Sequence, residues 1–72
     1  MNIFVVIENE NHDGKVFRTY EDAMAYGIKE IKEKGELYEW DFDSIQEEIS
    51  QFKRCEDCQT MTLYTLPLAE NE

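Results

Sequence analysis

Two cysteines three residues apart, Cys55 and Cys58, have the clearest capacity for chemistry in this sequence. Two thiolates at this spacing can bind one side of a tetrahedral zinc ion, although a complete structural site needs four ligands. The only histidine, His12, lies far away in the chain. A zinc site would therefore need His12 with Asp13 or Glu56, or a second cysteine pair from another copy of the chain.

The same cysteine pair is a weak candidate for redox catalysis. Catalytic pairs of this kind are activated at a helix N-terminus within a β-α-β unit. Here the pair follows a predicted helix C-terminus, where the dipole disfavours a thiolate, and Glu56 and Asp57 lie between the cysteines. We expect raised thiol pKa values at Cys55 and Cys58. The alternative to a metal site is a pair of ordinary thiols in a turn.

A dense run of carboxylates in the middle of the chain is the second candidate site. No basic residue occurs between Lys34 and Lys53, and the net charge is -10. A negative field of this density attracts basic partners and repels nucleic acid and anionic membranes. The predicted partner-binding residues are the carboxylates of the run and two aromatic anchors: Glu36, Glu39, Asp41, Asp43, Glu47 and Glu48, with Tyr38 and Trp40.

Other functions are disfavoured by what the sequence lacks. Direct nucleic-acid binding needs clustered lysines and arginines, and the seven basic residues are scattered along the chain. No glycine-rich phosphate loop occurs, and no nucleophile is placed beside His12 by a local motif. A short domain also has little room for a catalytic cleft. We therefore expect a non-enzymatic protein without a cofactor, zinc being the exception considered above.

Length and hydropathy predict one small domain over residues 1–72. A chain of this size buries only about 60% of its unfolded surface, so a metal, a disulfide or a second subunit is a common aid to stability. The longest apolar run, Ile3–Ile7, is far below the roughly 18 residues of a membrane span, and no secretory signal is evident. We expect a cytoplasmic protein that does not enter a membrane.

The β-branched and aromatic run Ile3–Ile7 predicts the first strand. Asp13-Gly14 is a hairpin signal because glycine tolerates a positive φ, and a short second strand, residues 15–18, follows. The first strand shows no polar alternation. It is therefore a central strand, or a second apolar layer from another copy of the chain covers it.

Two helices and a final strand complete the prediction. Thr19 is the expected N-cap of the first helix and Gly35 its C-cap, with Glu30–Lys34 as an ion pair along the helix. Gly27 suggests that this helix lies close to the sheet. The second helix starts at Asp41 or Asp43 and ends near residues 53–54.

Residues 59–66 form the predicted last strand, which Pro67 ends, and residues 69–72 form a short acidic tail. The predicted class is α+β: a small antiparallel sheet of about three strands with two helices on one face, in the order β-β-α-α-β.

An apolar first strand, a polar hairpin and a helix opening with residues 19–23 (Thr-Tyr-Glu-Asp-Ala) together resemble small phage and bacterial open reading frames. The size, acidity and aromatic content are similar to those of phage-encoded inhibitors, including anti-restriction proteins, anti-CRISPR proteins and other DNA mimics. The resemblance implies a protein that competes with nucleic acid for the basic surface of a host enzyme. The alternatives are a zinc-binding module at Cys55 and Cys58, and a homodimer formed through Ile3–Ile7.

Overall fold

The computed structural model describes residues 1–68, so the predicted acidic tail lies outside the described residues. The elements are β1 (Asn2–Glu8), β2 (Gly14–Phe17), α1 (Tyr20–Leu37), α2 (Phe42–Cys55) and β3 (Met61–Pro67). The three strands form one antiparallel sheet in the order β2-β1-β3. The predicted α+β class and the order β-β-α-α-β are confirmed. Within residues 1–68, neither helix has the length and apolarity needed to cross a bilayer.

β1 is the central strand, as its unbroken apolar sequence predicted. Val5 pairs with Val16 of β2 on one side and with Tyr64 of β3 on the other. Both backbone edges of β1 are therefore occupied, which rules out a dimer in which this strand pairs with another chain edge to edge. Phe4 and Val6 point towards the helices, where Phe4 meets the Tyr20 ring edge-on at 5.9 Å.

The core lies between the inner face of the sheet and the two helices. α1 contacts all three strands, and α2 packs mainly against α1. The buried apolar side chains come from every element except β2, plus one residue of the turn before β3: Val6, Ala23, Ile31, Ile49, Phe52, Cys58, Met61 and Leu63. The inward positions of β3 are those predicted, although β3 begins at Met61, since residues 59 and 60 belong to the preceding turn.

The hairpin between β1 and β2 has a different geometry from the one predicted. Its left-handed residue is His12, with φ 61°, and no glycine of the described chain has a positive φ. Gly14 is instead the first residue of β2 and pairs with Ile7. The loop of residues 9–13 is too long for a two-residue Asp-Gly turn, and the His12 amide donates to the Glu8 carbonyl at 2.8 Å.

Thr19 is the N-cap of α1, as predicted, and its hydroxyl accepts from the Asp22 amide at 3.2 Å. The prediction of Gly35 as C-cap was wrong, because α1 continues to Leu37. Gly35 is buried inside the helix, where a Cβ would lie 2.5 Å from Ile45 Cγ1 of α2. Its lack of a side chain allows the two helices to approach each other.

Gly27 has the same role, which corrects the expectation that it faces the sheet. A Cβ at Gly27 would lie 2.3 Å from the ring of Phe52, the largest fully buried side chain. The predicted pairing of Lys34 with Glu30 was also wrong, since Lys34 reaches across to Glu8 and Glu10 instead. Both corrections concern contacts between elements.

Candidate protein-binding site

Four of the six predicted carboxylates line one open groove between the start of α2 and the turn that precedes β3. Glu39 and Asp41 come from the connection between the helices, and Glu47 and Glu48 come from α2. Asp57, from the turn after α2, is a fifth carboxylate in the same lining. We call this surface the acidic groove: Glu39, Asp41, Glu47, Glu48 and Asp57, with Trp40 among them.

Two of the predicted residues lie outside this groove. Glu36 is exposed in the last turn of α1, and Asp43 is exposed in the first turn of α2. Neither carboxylate lines the acidic groove. The surface is therefore smaller than the run in the sequence, but it gains Asp57, which sequence reasoning assigned to the cysteine motif. Asp57 reaches the groove because the chain turns back after α2, and no local pattern indicates this.

Glu39 owes its position to the end of α1. The Glu39 amide donates to the Glu36 carbonyl at 3.3 Å, and the Trp40 amide donates to the Gly35 carbonyl at 2.8 Å. These two bonds form a Schellman motif, whose left-handed residue is usually glycine. Here that residue is Glu39, with φ 57°. A side chain in this conformation costs on the order of 1 kcal/mol, and the carboxylate it adds lies in the acidic groove.

Asp41 has two roles at the start of α2. It is the N-cap, and its carboxylate accepts from the Ser44 amide at 2.7 Å. This hydrogen bond lowers the pKa of Asp41 below its ordinary value, which keeps the group charged. The prediction that α2 starts at Asp41 or Asp43 is resolved in favour of Asp41.

Glu48 is the structural member of the groove. Its side chain is half-buried, and its Oε1 accepts from the Thr60 hydroxyl at 2.7 Å and from the Thr60 amide at 3.1 Å. These bonds tie the middle of α2 to the turn before β3. Glu48 therefore shapes the groove, while Glu39, Asp41, Glu47 and Asp57 present exposed carboxylates to solvent.

The groove carboxylates have no basic neighbour in ion-pair contact. The ion pairs of residues 1–68 are Lys29–Glu33, Lys34–Glu8 and Lys34–Glu10. Lys34 is the basic residue that immediately precedes the acidic run, and it is directed away from the groove towards β1. The hydrogen bond from Lys34 lowers the pKa of Glu8. Burial opposes the charge on Lys34, but its bonds to Glu8 and Glu10 raise the lysine pKa overall.

Two exposed apolar side chains adjoin groove residues in the chain, Tyr38 before Glu39 and Phe42 after Asp41, whereas Leu37 lines a different concavity beside the β1–β2 hairpin. Leu37 is 74% exposed, Tyr38 is 54% exposed and Phe42 is 72% exposed. Trp40 is half-buried, because its ring lies beside Gly35 and Ile45 where the helices meet. Of the two predicted anchors, Tyr38 is therefore free to contact a partner, and Trp40 also closes the core between the helices.

The two predicted metal ligands differ in environment. Cys55 is exposed at the end of α2, whereas Cys58 is buried and its Sγ accepts from the Met61 amide at 3.4 Å. Burial raises the pKa of the Cys58 thiol, with a further contribution from the Glu48 carboxylate. The expected raised pKa is confirmed for Cys58, and the cause is mainly burial. In residues 1–68 no cluster of three or more candidate ligands is present, and zinc binding stays a hypothesis.

The chain matches no protein-family model, and it has no significant match among curated proteins or solved structures. The geometry of the acidic groove is therefore the basis for assigning a function.

Proposed function

We propose that this chain is a non-enzymatic protein-binding domain whose acidic groove binds a basic protein surface. The partner class is a nucleic-acid-binding enzyme, which the domain inhibits by occupying the surface that nucleic acid would contact. The observation that supports this most directly is the shared groove of Glu39, Asp41, Glu47 and Asp57, four exposed carboxylates with no lysine or arginine in contact within residues 1–68.

Electrostatics favour a basic partner for such a surface. Carboxylates grouped in a concave surface reinforce one another's potential, and the field steers oppositely charged proteins during association. The C-terminal end of α1 adds the negative end of its dipole beside Glu39. A phosphate backbone offers a basic protein the same sign of charge at high density, so the groove can compete with it.

The exposed apolar side chains favour a protein partner over a purely solvated acidic face. Protein interfaces combine aromatic anchors with a polar rim. Tyr38 and Phe42, next to Glu39 and Asp41 in the chain, supply large exposed apolar contacts. A surface that served solubility alone would have no need of two such side chains within the five residues 38–42.

The test is capture of partners from a bacterial lysate, since the resemblance indicates a bacterial host. The immobilised chain is loaded in about 50 mM salt and washed in about 200 mM salt, the range over which contacts to phosphates weaken strongly. We expect a captured nucleic-acid-binding protein that is released by salt and is displaced by duplex DNA. A captured protein that stays bound in high salt and is indifferent to DNA would contradict the proposal.

A matched pair of variants separates the groove from overall charge. The groove variant neutralises four exposed carboxylates: Glu39→Gln, Asp41→Asn, Glu47→Gln and Asp57→Asn. The control neutralises four exposed carboxylates elsewhere: Asp13→Asn, Glu21→Gln, Asp22→Asn and Glu33→Gln. Both variants change the net charge from -10 by the same amount. We expect the groove variant alone to lose the partner. Equal loss in both variants would show that net charge, not the groove, is responsible.

Glu39→Gly gives a second, independent readout. Glycine removes the strain of the left-handed conformation, so the variant should unfold at a higher temperature than the wild type. It also removes one groove carboxylate, so it should bind the captured partner more weakly. A variant that is more stable and binds equally well would remove Glu39 from the proposed site.

A further inference from the structure

The outer face of the sheet, on the side away from the helices, is largely apolar, with Thr62 opposite Ile7 as its polar position. Phe4 and Val6 face the core, so the alternating positions of β1 point outward. Strand pairing places residues of β2 and β3 beside them. We call this surface the outer face: Ile3, Val5, Ile7, Val16, Tyr64 and Leu66.

The helices leave this face uncovered. Val16 is 64% exposed, Tyr64 is 48% exposed and Leu66 is 44% exposed. The side chains of Ile3, Val5 and Ile7 are only half-buried, although they lie on the central strand. An antiparallel sheet with one face in water normally alternates apolar and polar residues along each strand. The absence of alternation in β1 therefore indicates that something covers the outer face.

We propose that a second copy of this chain covers the outer face, forming a two-fold dimer in which the two sheets pack against each other. Each copy would then contribute a helical layer and a sheet, and the dimer would have four layers. Sheets packed in this way lie about 10 Å apart, with strands within about 30° of one another. A two-fold interface brings the same patch of both copies together, and a largely apolar, uncharged face is compatible with itself.

Charge restricts self-association of this chain to the outer face. Two chains of net charge -10 repel each other in most orientations. The outward strand positions paired with Ile3, Val5 and Ile7 carry no charged side chain. In a sheet-to-sheet dimer the helical layers, which carry Glu47 and the other α2 carboxylates, lie roughly 30 Å apart. Because the screening length is about 8 Å at physiological salt, their repulsion at that distance is small.

The area of the outer face determines how tightly the dimer should associate. β1 and β3 each have seven residues, so three adjacent strands cover roughly 300 Å² in projection. Protruding side chains make the accessible area larger than this projection. It still lies below the roughly 800 Å² per partner of a standard specific interface, in the range of weak complexes. We therefore expect a dimer with a dissociation constant in the micromolar range. The interface borders the acidic groove at Thr62, whose hydroxyl donates to the Asp57 carboxylate at 2.7 Å.

The test is analytical ultracentrifugation from low micromolar to several hundred micromolar chain. We expect a monomer–dimer equilibrium that strengthens as salt rises, because apolar contact is retained while charge repulsion is screened. Val16→Lys places a charge on the outer face and should raise the dissociation constant about tenfold or more. Ser50→Lys, exposed on α2, makes the same charge change away from the face and should leave dimerisation intact.

Circular dichroism at low concentration shows whether both variants keep the wild-type fold. If Val16→Lys loses its fold, Leu66→Lys at the exposed end of β3 replaces it. A wild-type chain that stays monomeric at several hundred micromolar would overturn the proposal. A dimer that Val16→Lys and Ser50→Lys weaken equally would also overturn it, as would a dimer that dissociates when the salt concentration rises.

Discussion

Replacement of Gly27 by alanine tests how closely the two helices approach each other. A Cβ at this position would lie 2.3 Å from Phe52 Cε2 and 2.4 Å from Phe52 Cζ. Carbon atoms in ordinary contact are about 3.5–4.0 Å apart, so the ring would have to move by more than 1 Å. Phe52 is completely buried among core side chains, which leaves it no space in which to move.

Two opposing contributions set the size of the effect. Alanine is the better helix former by about 1 kcal/mol, which would stabilise α1. Overpacking of a filled core costs typically 1–3 kcal/mol, and two clashes on one ring place this site at the upper end. We therefore expect Gly27→Ala to lower the free energy of unfolding by about 1–2 kcal/mol. For a domain of this size the melting temperature falls by roughly 5–15 °C.

Thermal and urea unfolding, followed by circular dichroism, measure this change. Ala25→Gly, at an exposed position of the same helix, measures the propensity contribution alone and should cost about 1 kcal/mol. Phe52→Leu removes the ring that alanine would meet, so Gly27→Ala should be far less harmful in that background. A double-mutant cycle then gives the coupling free energy between Gly27 and Phe52.

If Gly27→Ala raised the melting temperature by as much as Ala25→Gly lowers it, the added methyl group would have met no obstacle. The close contact between Gly27 and Phe52 would then be absent in solution.

Two further predictions concern titratable groups. Lys34→Met should lower the free energy of unfolding by about 2 kcal/mol at neutral pH, because Glu8 loses a charged hydrogen-bond partner in a mostly buried pair. Lys29→Met is the control, since it removes an exposed ion pair and should cost less than about 0.5 kcal/mol. The pKa of Glu8 in the folded chain lies below its ordinary value of 4.5. Ionised Glu8 therefore stabilises the fold above pH 4.5, and this stabilisation is lost as the pH falls through the folded pKa. The free energies of unfolding of wild type and Lys34→Met, measured by urea titration, should converge in acid. A gap that persists unchanged at low pH would contradict this account. Finally, a thiol reagent should modify Cys55 rapidly and Cys58 only after unfolding, since Cys58 is buried and its thiol pKa is raised. Rapid modification of two thiols in the native state would contradict the burial of Cys58.

Much of the fold was predictable because the signals are local. The apolar run of β1, the cap at Thr19 and the cap at Asp41 each depend on residues within a few positions along the chain. Helix periodicity and turn chemistry act over the same short range. The α+β class and the order of elements follow from these signals. The concentration of negative charge also follows from composition, since no folding arrangement changes the number of carboxylates.

The candidate site was predictable only in part. Glu39, Asp41, Glu47 and Glu48 are close in sequence and also share the groove. Asp57 joins them because the turn after α2 brings it back, and Glu36 drops out because the helix end directs it elsewhere. Which carboxylates share a surface depends on the directions of side chains around two helices. That information is absent from the spacing of acidic residues alone.

Local signals in the sequence were enough to predict the elements and the charge, and they left two explanations for the apolar first strand. Only the folded chain shows that Gly27 and Gly35 serve the contact between helices, that Lys34 pairs with Glu8 across 26 residues, and that the helices leave the outer face uncovered. The physical reason is range. Propensities and caps act between near neighbours in the chain, whereas packing and ion pairs act between neighbours in space, and only the folded chain specifies which residues those are.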